Sequence, residues 1–397
     1  MQKYLLERGK ILRNKRYFIV CFENYPHGSA GANYILNFAK SLSFEGRQVV
    51  IICCNDKVEC INYGKNEGIE YVQVKHIYDS FGVTTIIKKE YEQIARHYKM
   101  TNEDYFVFYN NNIRIIRFFC EKYGYSHAYS IRVEDYQPYQ YKLGRFNPKY
   151  MFERISICYA QKKMNGIISI SSLLQKQDKK AGARSFILPP LTDPDLFKEN
   201  ECKKITSNIH ILYPGMKMTG YEDDYDLMFN ALMKLDEKDI EKISVHITGG
   251  KYQKIIEKFN LPAFSKIKNV VQFHGFLEYD ELINLYRQAH YLLLVRKKNN
   301  VTMANFPSKV PELLTYGVVP ICTDVGDYTK KYLDESCAII MPPDDEKECV
   351  NAIKKAIALS QEEYNSKSRK ARMLAETKFS YKVWSKKLID FMEENND

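Results

Sequence analysis

Short apolar, β-rich runs alternate with helical stretches twice along this chain, and no other feature narrows its fold so far. In the first half, strand-like segments fall at residues 17–22, 48–54, 69–74, 105–109, 128–132 and 166–169. A helical stretch at 32–44 follows the turn Gly28-Ser29-Ala30-Gly31, and helical patterns lie between most of the other runs. Alternation of this kind predicts parallel βαβ units under covering helices.

The texture changes between 185 and 200. Residues 186–188 read as a short strand, Pro189, Pro190 and Pro194 then interrupt regular structure, and a polar stretch runs from 198 to 207. This is an interdomain linker by composition. The alternation restarts afterwards. Strands are expected at 209–213, 243–247, 270–273, 291–295 and 318–322, and helices at 224–235, 279–288, 307–316, 346–359, 361–377 and 381–393. A chain of 397 residues exceeds the ~250–300 at which single cores stop growing. The expected division is 1–190, a linker 191–207, a second α/β domain 208–377, and a closing helix 378–397 that packs back on the first domain. In open α/β sheets ligands sit outside the carboxyl ends of the strands, so functional residues should follow strands in both halves.

Bulk properties exclude more than they select. Lysine plus arginine exceed aspartate plus glutamate by ten (59 − 49), which favours anionic partners without choosing among them. The ten cysteines show no zinc spacing, and adjacent Cys53 and Cys54 point to opposite faces of a strand, which suits reduced core thiols. No run approaches the ~20 apolar residues of a membrane span, and the basic start (Lys10, Arg13, Lys15, Arg16) lacks a signal core. A cytoplasmic protein is expected, with that basic start available to touch an anionic inner membrane leaflet.

The richest segment is 296–320, RKKNNVTMANFPSKVPELLTYGVVP. Arg296 stands at the carboxyl end of a strand. Asn305 is a candidate helix cap and Pro307 suits a first helical turn. A helix start offers unpaired N–H groups and positive potential to an anion, and Lys309 lies there with Ser308. Two readings stay open on these residues alone. Arg296 and Lys309 clamp a diphosphate while Glu312 accepts from a ribose diol, or the three form a salt-bridge cluster.

The pattern Arg…Pro-x-Lys-x-x-Glu-x-Leu-x-x-Gly-x-x-Pro over 296–320 resembles the donor-site signature of family 4 retaining glycosyltransferases of the GT-B fold. Gln272–Leu277, Ile247-Thr248-Gly249-Gly250, Tyr213-Pro214-Gly215, residues 165–171 and residues 190–197 are similar to other stretches of that family, in the same order. The resemblance implies two Rossmann-like domains facing across a cleft. It implies catalytic roles for Arg296 and Lys309 on the donor diphosphate. Donor contacts would come from Glu312 on the ribose, Gly275 to Leu277 beside the base, Ser308 and Asn305 at the helix start, Gly249, and Gly28 and Gly31 on the phosphate side. Two departures stand out. The family's first motif glutamate falls at Ala304, and the basic pair after the first strand of the second domain is reduced to Lys217.

Glu134, just past a strand end, is a third candidate catalytic group, and it or Asp135 contacts sugar or acceptor unless the pair is a solvated acidic turn. Tyr136, Tyr139 and Tyr141 with Lys142 and Arg145 form an acceptor patch or a packed loop. The implied reaction moves a sugar from a nucleoside-diphosphate sugar, by default UDP-linked, to a glycan or lipid-linked acceptor hydroxyl, with retention and without metal or other cofactor. Competing readings are a non-catalytic subunit supporting a partner transferase, another GT-B enzyme such as an epimerase or phosphorylase, and a nucleic-acid binder, for which no motif is present.

Overall fold

The computed structural model describes residues 15–26, 29–55, 58–75, 77–79, 84–85, 87–197, 203–205, 208–216, 221–249 and 265–393. The chain divides into two compact units, residues 1–191 with 381–397, and residues 192–380.

The first unit holds strands β1 (Arg16–Asn24), β2 (Gln48–Asn55), β3 (Asn62–Asn66), β4 (Ile69–Lys75), β7 (Tyr105–Tyr109), β8 (Ala128–Arg132), β9 (Gly166–Ser169) and β10 (Ser185–Ile187), with a two-residue pair β5 (Ile77–Tyr78) and β6 (Thr84–Thr85) beside them. The main sheet runs β10-β9-β8-β7-β1-β2-β4-β3 and is parallel except for β3. Strands β7 and β8 are buried along their whole length, and β1 over residues 17–21, because helices cover both faces. The helix Ala30–Phe44 begins at Ser29, whose hydroxyl accepts from Ala32 N at 3.0 Å.

The last helix, Tyr381–Glu393, packs into this unit although it is last in sequence. Glu393 is its anchor. It accepts from Arg47 Nε at 2.8 Å, Tyr17 Oη at 2.6 Å and Lys15 Nζ at 3.1 Å. Phe391 stacks on Phe186, with the Arg184 guanidinium 4.1 Å over its ring.

The second unit is an all-parallel sheet of β11 (Ile209–Tyr213), β12 (Ile243–Thr248), β13 (Val271–Gly275), β14 (Tyr291–Leu294), β15 (Val319–Thr323) and β16 (Ile339–Met341) in the order β13-β12-β11-β14-β15-β16. The chain builds outward from β11 to β13, then returns to the other side of β11 for β14. The order therefore reverses between β11 and β14, which is where open α/β sheets leave a crevice at their carboxyl ends. Ile211, Tyr213, Val245, Leu293 and Ile321 are buried in the core that fixes this sheet.

The expected helix at 307–316 is shorter, Lys309–Thr315, and a separate helix, Asn300–Ala304, precedes it. Pro307 lies before the cap rather than in the first turn. Pro311 sits within that turn, where its missing N–H removes no helical bond.

Candidate active site in the second unit

The crevice between β11 and β14 is lined by residues that follow those two strands. Residues 222–224 run antiparallel to 295–297, with Asp224 N donating to Val295 O at 2.8 Å and Lys297 N to Glu222 O at 3.0 Å. That short ladder sets Asp223 opposite Arg296. Arg296 is 2% exposed, and each of its three guanidinium nitrogens has a partner. Nε donates to Asp223 Oδ1 at 3.2 Å, Nη1 to Asn305 Oδ1 at 3.0 Å and Nη2 to Glu222 Oε2 at 3.0 Å. Its backbone is held by Thr323, whose hydroxyl accepts from Arg296 N at 2.9 Å.

Lys309 shares the same acid. Its Nζ lies 3.4 Å from Asp223 Oδ2 and 4.6 Å over the centre of the Tyr213 ring, and it keeps an accessible side. The Tyr213 hydroxyl also donates to Asp223. Burial alone would push the Asp223 carboxyl up, but Lys309 and Arg296 outweigh it and hold the group below the usual carboxylate range. The Arg296 guanidinium, desolvated by burial, is held charged by Asp223 and Glu222. Two cations and two carboxylates thus meet with no net charge, and Lys309 is the cation that reaches solvent.

Asn305 corrects the sequence reading. It ends the helix Asn300–Ala304, and its side-chain oxygen is taken by Arg296, so it does not cap the helix at 309. Ser308 holds the cap position, without a side-chain cap bond. Glu312, later in that first turn, accepts from Tyr286 Oη at 3.3 Å and is partly exposed. Ala304, where the family's first glutamate would fall, is fully buried.

The carboxyl ends of β11, β12 and β13 are laced together. Gly215 N donates to Thr248 Oγ1 at 3.0 Å, Met216 N to Thr248 O at 2.7 Å, and Gly249 N to Gly275 O at 2.6 Å. Gly249 has φ +72, and a Cβ there would stand 2.9 Å from Met216 N, so a side chain is excluded by both strain and space. Leu277 leads from Gly275 into the helix Tyr279–Gln288 and is partly buried beside exposed Phe276. Lys217 and Gly28 lie outside the described residues.

In the first unit, Gly31 lies at the start of its helix, 2.6 Å from Glu23 Oε1 for an added Cβ. Glu23 also accepts from Ser29 Oγ at 2.6 Å, so a carboxylate occupies this helix start. Asp135 is buried and accepts from Arg132, Gln137 and Gln177 at 2.9–3.1 Å, which makes it part of the frame rather than a solvated turn. Glu134 is partly exposed. Its charge, together with burial, bears on Glu153, which is pushed up to about 7 chiefly by burial. The residues sequence reasoning passed over are Asp223, Glu222 and Glu153. The acidic run Glu222-Asp223-Asp224 after a strand end was the available signal for the first two.

Residues 216–374 match the family model described as glycosyl transferases group 1. No curated protein matches this chain. Among solved structures, sucrose-phosphate synthase from Thermosynechococcus elongatus aligns with TM-score 0.71 at 12% identity, covering 96% of this chain and 98% of that one. WaaG, a glycosyltransferase involved in lipopolysaccharide biosynthesis, aligns with TM-score 0.67 at 16% identity, covering 95% and 99%. Anabaena HepE in complex with UDP and glucose aligns with TM-score 0.66 at 12% identity, covering 96% and 100%. The fold is that of the GT-B glycosyltransferases, and the second unit carries the enzyme domain of glycosyl transferases group 1.

Proposed function

We propose that this chain transfers a sugar from a nucleoside-diphosphate sugar, by default UDP-linked, to a glycan or lipid-linked acceptor hydroxyl, with retention and without a metal. The observation that carries this reading is a solvent-reaching Lys309, held by Asp223 and Tyr213, with the partly exposed Glu312 in the same first helical turn. Departure of a nucleoside diphosphate builds negative charge, and a preorganised cation stabilises it most where water is scarce. Lys309 is held for that task by Asp223 and Tyr213. Arg296 acts behind it as a positioning residue, and its positive charge offsets Asp223 so that Lys309 is not neutralised alone. Glu312, oriented by Tyr286, takes the ribose hydroxyls. Ser308 and the adjoining N–H groups complete the phosphate side, with Gly249 and Gly275 to Leu277 bordering the base. Lys217 adds a further charge. Glu134 of the first unit serves the sugar or acceptor. The UDP named with the HepE structure supports the default base, and the chemistry suits cytoplasmic synthesis of cell-surface polysaccharide or glycoconjugate.

A second reading has one observation in its favour. Arg296 is buried and spent on internal carboxylates, and Ala304 offers no sugar contact, as in a GT-B subunit that supports a partner transferase. A thermal-shift screen of UDP, GDP, ADP and their sugars separates the two. Stabilisation by one nucleotide, lost in Lys309→Ala and Glu312→Ala, supports the transferase. No shift with any of them leaves the supporting subunit. Turnover unchanged by EDTA tests metal independence.

A further inference from the structure

Among the described residues, the first unit exposes apolar surface in one place more than elsewhere. Leu143 is 74% exposed and Phe146 84%, and half-exposed Tyr139, Met151 and Ile155 adjoin them in sequence. Met151, Ile155 and Cys158 recur at helical spacing on the outer side of the helix Pro148–Lys163, while Ser156, Ile157 and Ala160 face the core. This helix therefore carries apolar residues on two faces, and the described residues of the first unit cover one of them.

The loop that leads into it is built, not slack. Phe146 N donates to Leu143 O at 3.1 Å, and Asn147 N to Gly144 O at 3.2 Å. The Asn147 side chain binds both ways, donating to Lys142 O at 2.9 Å and accepting from Lys149 N at 2.9 Å. Leu143 is held at φ +68, a left-handed conformation that a branched apolar residue rarely takes. The chain thus accepts strain to keep a leucine in water. Monomeric proteins seldom leave such a patch without a partner surface.

Charge identifies the partner. From Tyr139 to Ile155 the sequence exposes Lys142, Arg145 and Lys149, and its one acidic residue is the partly buried Glu153. All three basic residues are exposed and alternate with Leu143 and Phe146. Aliphatic and aromatic tips ringed by cations match the boundary between headgroups and acyl chains of an anionic bilayer. We propose that residues 139–155 dock the first unit on an anionic membrane surface, with Leu143 and Phe146 inserted and Lys142, Arg145 and Lys149 on lipid phosphates. The proposal does not depend on the donor-site reading.

Sedimentation of the full-length chain with two vesicle types tests it, one of phosphatidylcholine alone and one of phosphatidylcholine and phosphatidylglycerol in equal parts. Wild type should bind the anionic vesicles, more weakly as salt rises. The double variant Leu143→Asn with Phe146→Ser, whose Asn tolerates positive φ, should lose about tenfold per residue. The triple variant Lys142→Glu, Arg145→Glu and Lys149→Glu should lose at least about fivefold per residue, with no change on neutral vesicles. The basic N-terminal stretch is intact in both. All substitutions are on the surface, so unchanged thermal unfolding and nucleotide shifts confirm folding and keep the donor site out of the outcome. Absence of wild-type binding, or equal binding by both variants, overturns the proposal. So does a dimer in light scattering that the apolar variant alone dissolves, since the patch would then be covered by a second copy.

Discussion

Asp223 is the residue on which the others at the β11–β14 crevice depend. It answers Arg296 and Lys309 at once and accepts from Tyr213. Asp223→Ala leaves a buried guanidinium short of a counter-charge, and breaking such a pair costs about 3–5 kcal/mol. Glu312→Ala takes the acceptor from the buried Tyr286 hydroxyl and should cost about 1–3 kcal/mol, less than the Asp223 change. Denaturant unfolding of the second unit should separate the two, with nucleotide binding lost in both. The acid carries a sign as well. Its carboxyl titrates below the usual range, so the stability it gives is present above the ordinary carboxylate pKa and is lost as pH falls through the lowered one. Glu153 runs oppositely. Raised to about 7, chiefly by burial, it favours folding fully below the ordinary carboxylate range, and that benefit is lost as pH rises through about 7. Glu153→Gln should therefore raise the unfolding temperature at pH 8 and leave it unchanged at pH 4, a gain of up to about 3 kcal/mol at the alkaline end. That Arg296, Lys309 and Glu312 lie near one helix start was legible in sequence, because they fall within one loop and helix. Asp223 was not, because only the backbone ladder of 222–224 against 295–297 brings it to them.

At the scale of elements, four histidines show what pairing creates that sequence hides. His210 of β11, His246 of β12 and His274 of β13 stack across adjacent strands, with Nδ1 of His210 2.9 Å from Nε2 of His246 and Nδ1 of His246 3.0 Å from Nε2 of His274. His290, just before β14, stacks on His210 and accepts from its backbone N at 3.0 Å. Each ring is remote from the next in sequence, so no spacing announces the row. Three rings joined by two such bonds hold one extra proton, since a second would set N–H against N–H. Burial, with the neighbouring rings, lowers His246 to about 4, and burial also takes His290 to about 4. The unfolded chain binds these protons near pH 6.5, so the second unit should lose stability as pH falls from about 6.5 toward 4. Ring resonances of His246 and His290 still neutral at pH 5.5 would bear this out, and titration near 6.5 would count against it. The strands themselves were plainer. Residues 17–22 and 105–109 read as strands because both sheet faces are covered and the runs are wholly apolar, and 209–213 because His210 alone interrupts such a run. β3 escaped because its NYGKN is a polar edge strand, and β16 because three residues give no period.

At the scale of the molecule, the chain divides into the two units that its length suggests, but not into two contiguous stretches. Residues 192–380 are contiguous and contain the second unit whole, but the first unit needs a helix synthesised last. Glu393 ties that helix to Arg47, Tyr17 and Lys15, and the Tyr129 hydroxyl donates to Met392 O at 2.6 Å. The carboxyl of Glu393 is desolvated yet held below its ordinary value by Arg47 and Tyr17, so it stays charged at neutral pH. Without the helix, a buried arginine, two tyrosine hydroxyls, the ring face of Phe186 and the guanidinium of Arg184 all lose partners together, which no single surface substitution matches. A fragment of residues 192–380 should therefore show cooperative unfolding by itself and keep whatever nucleotide shift the full chain has. A fragment of residues 1–191 should not, until a peptide of residues 381–397 is added. Cooperative unfolding of 1–191 alone would mean that the closing helix decorates the first unit instead of completing it. Rescue of 1–191 by the wild-type peptide but not by one carrying Glu393→Ala would place that completion on the single carboxylate at its end.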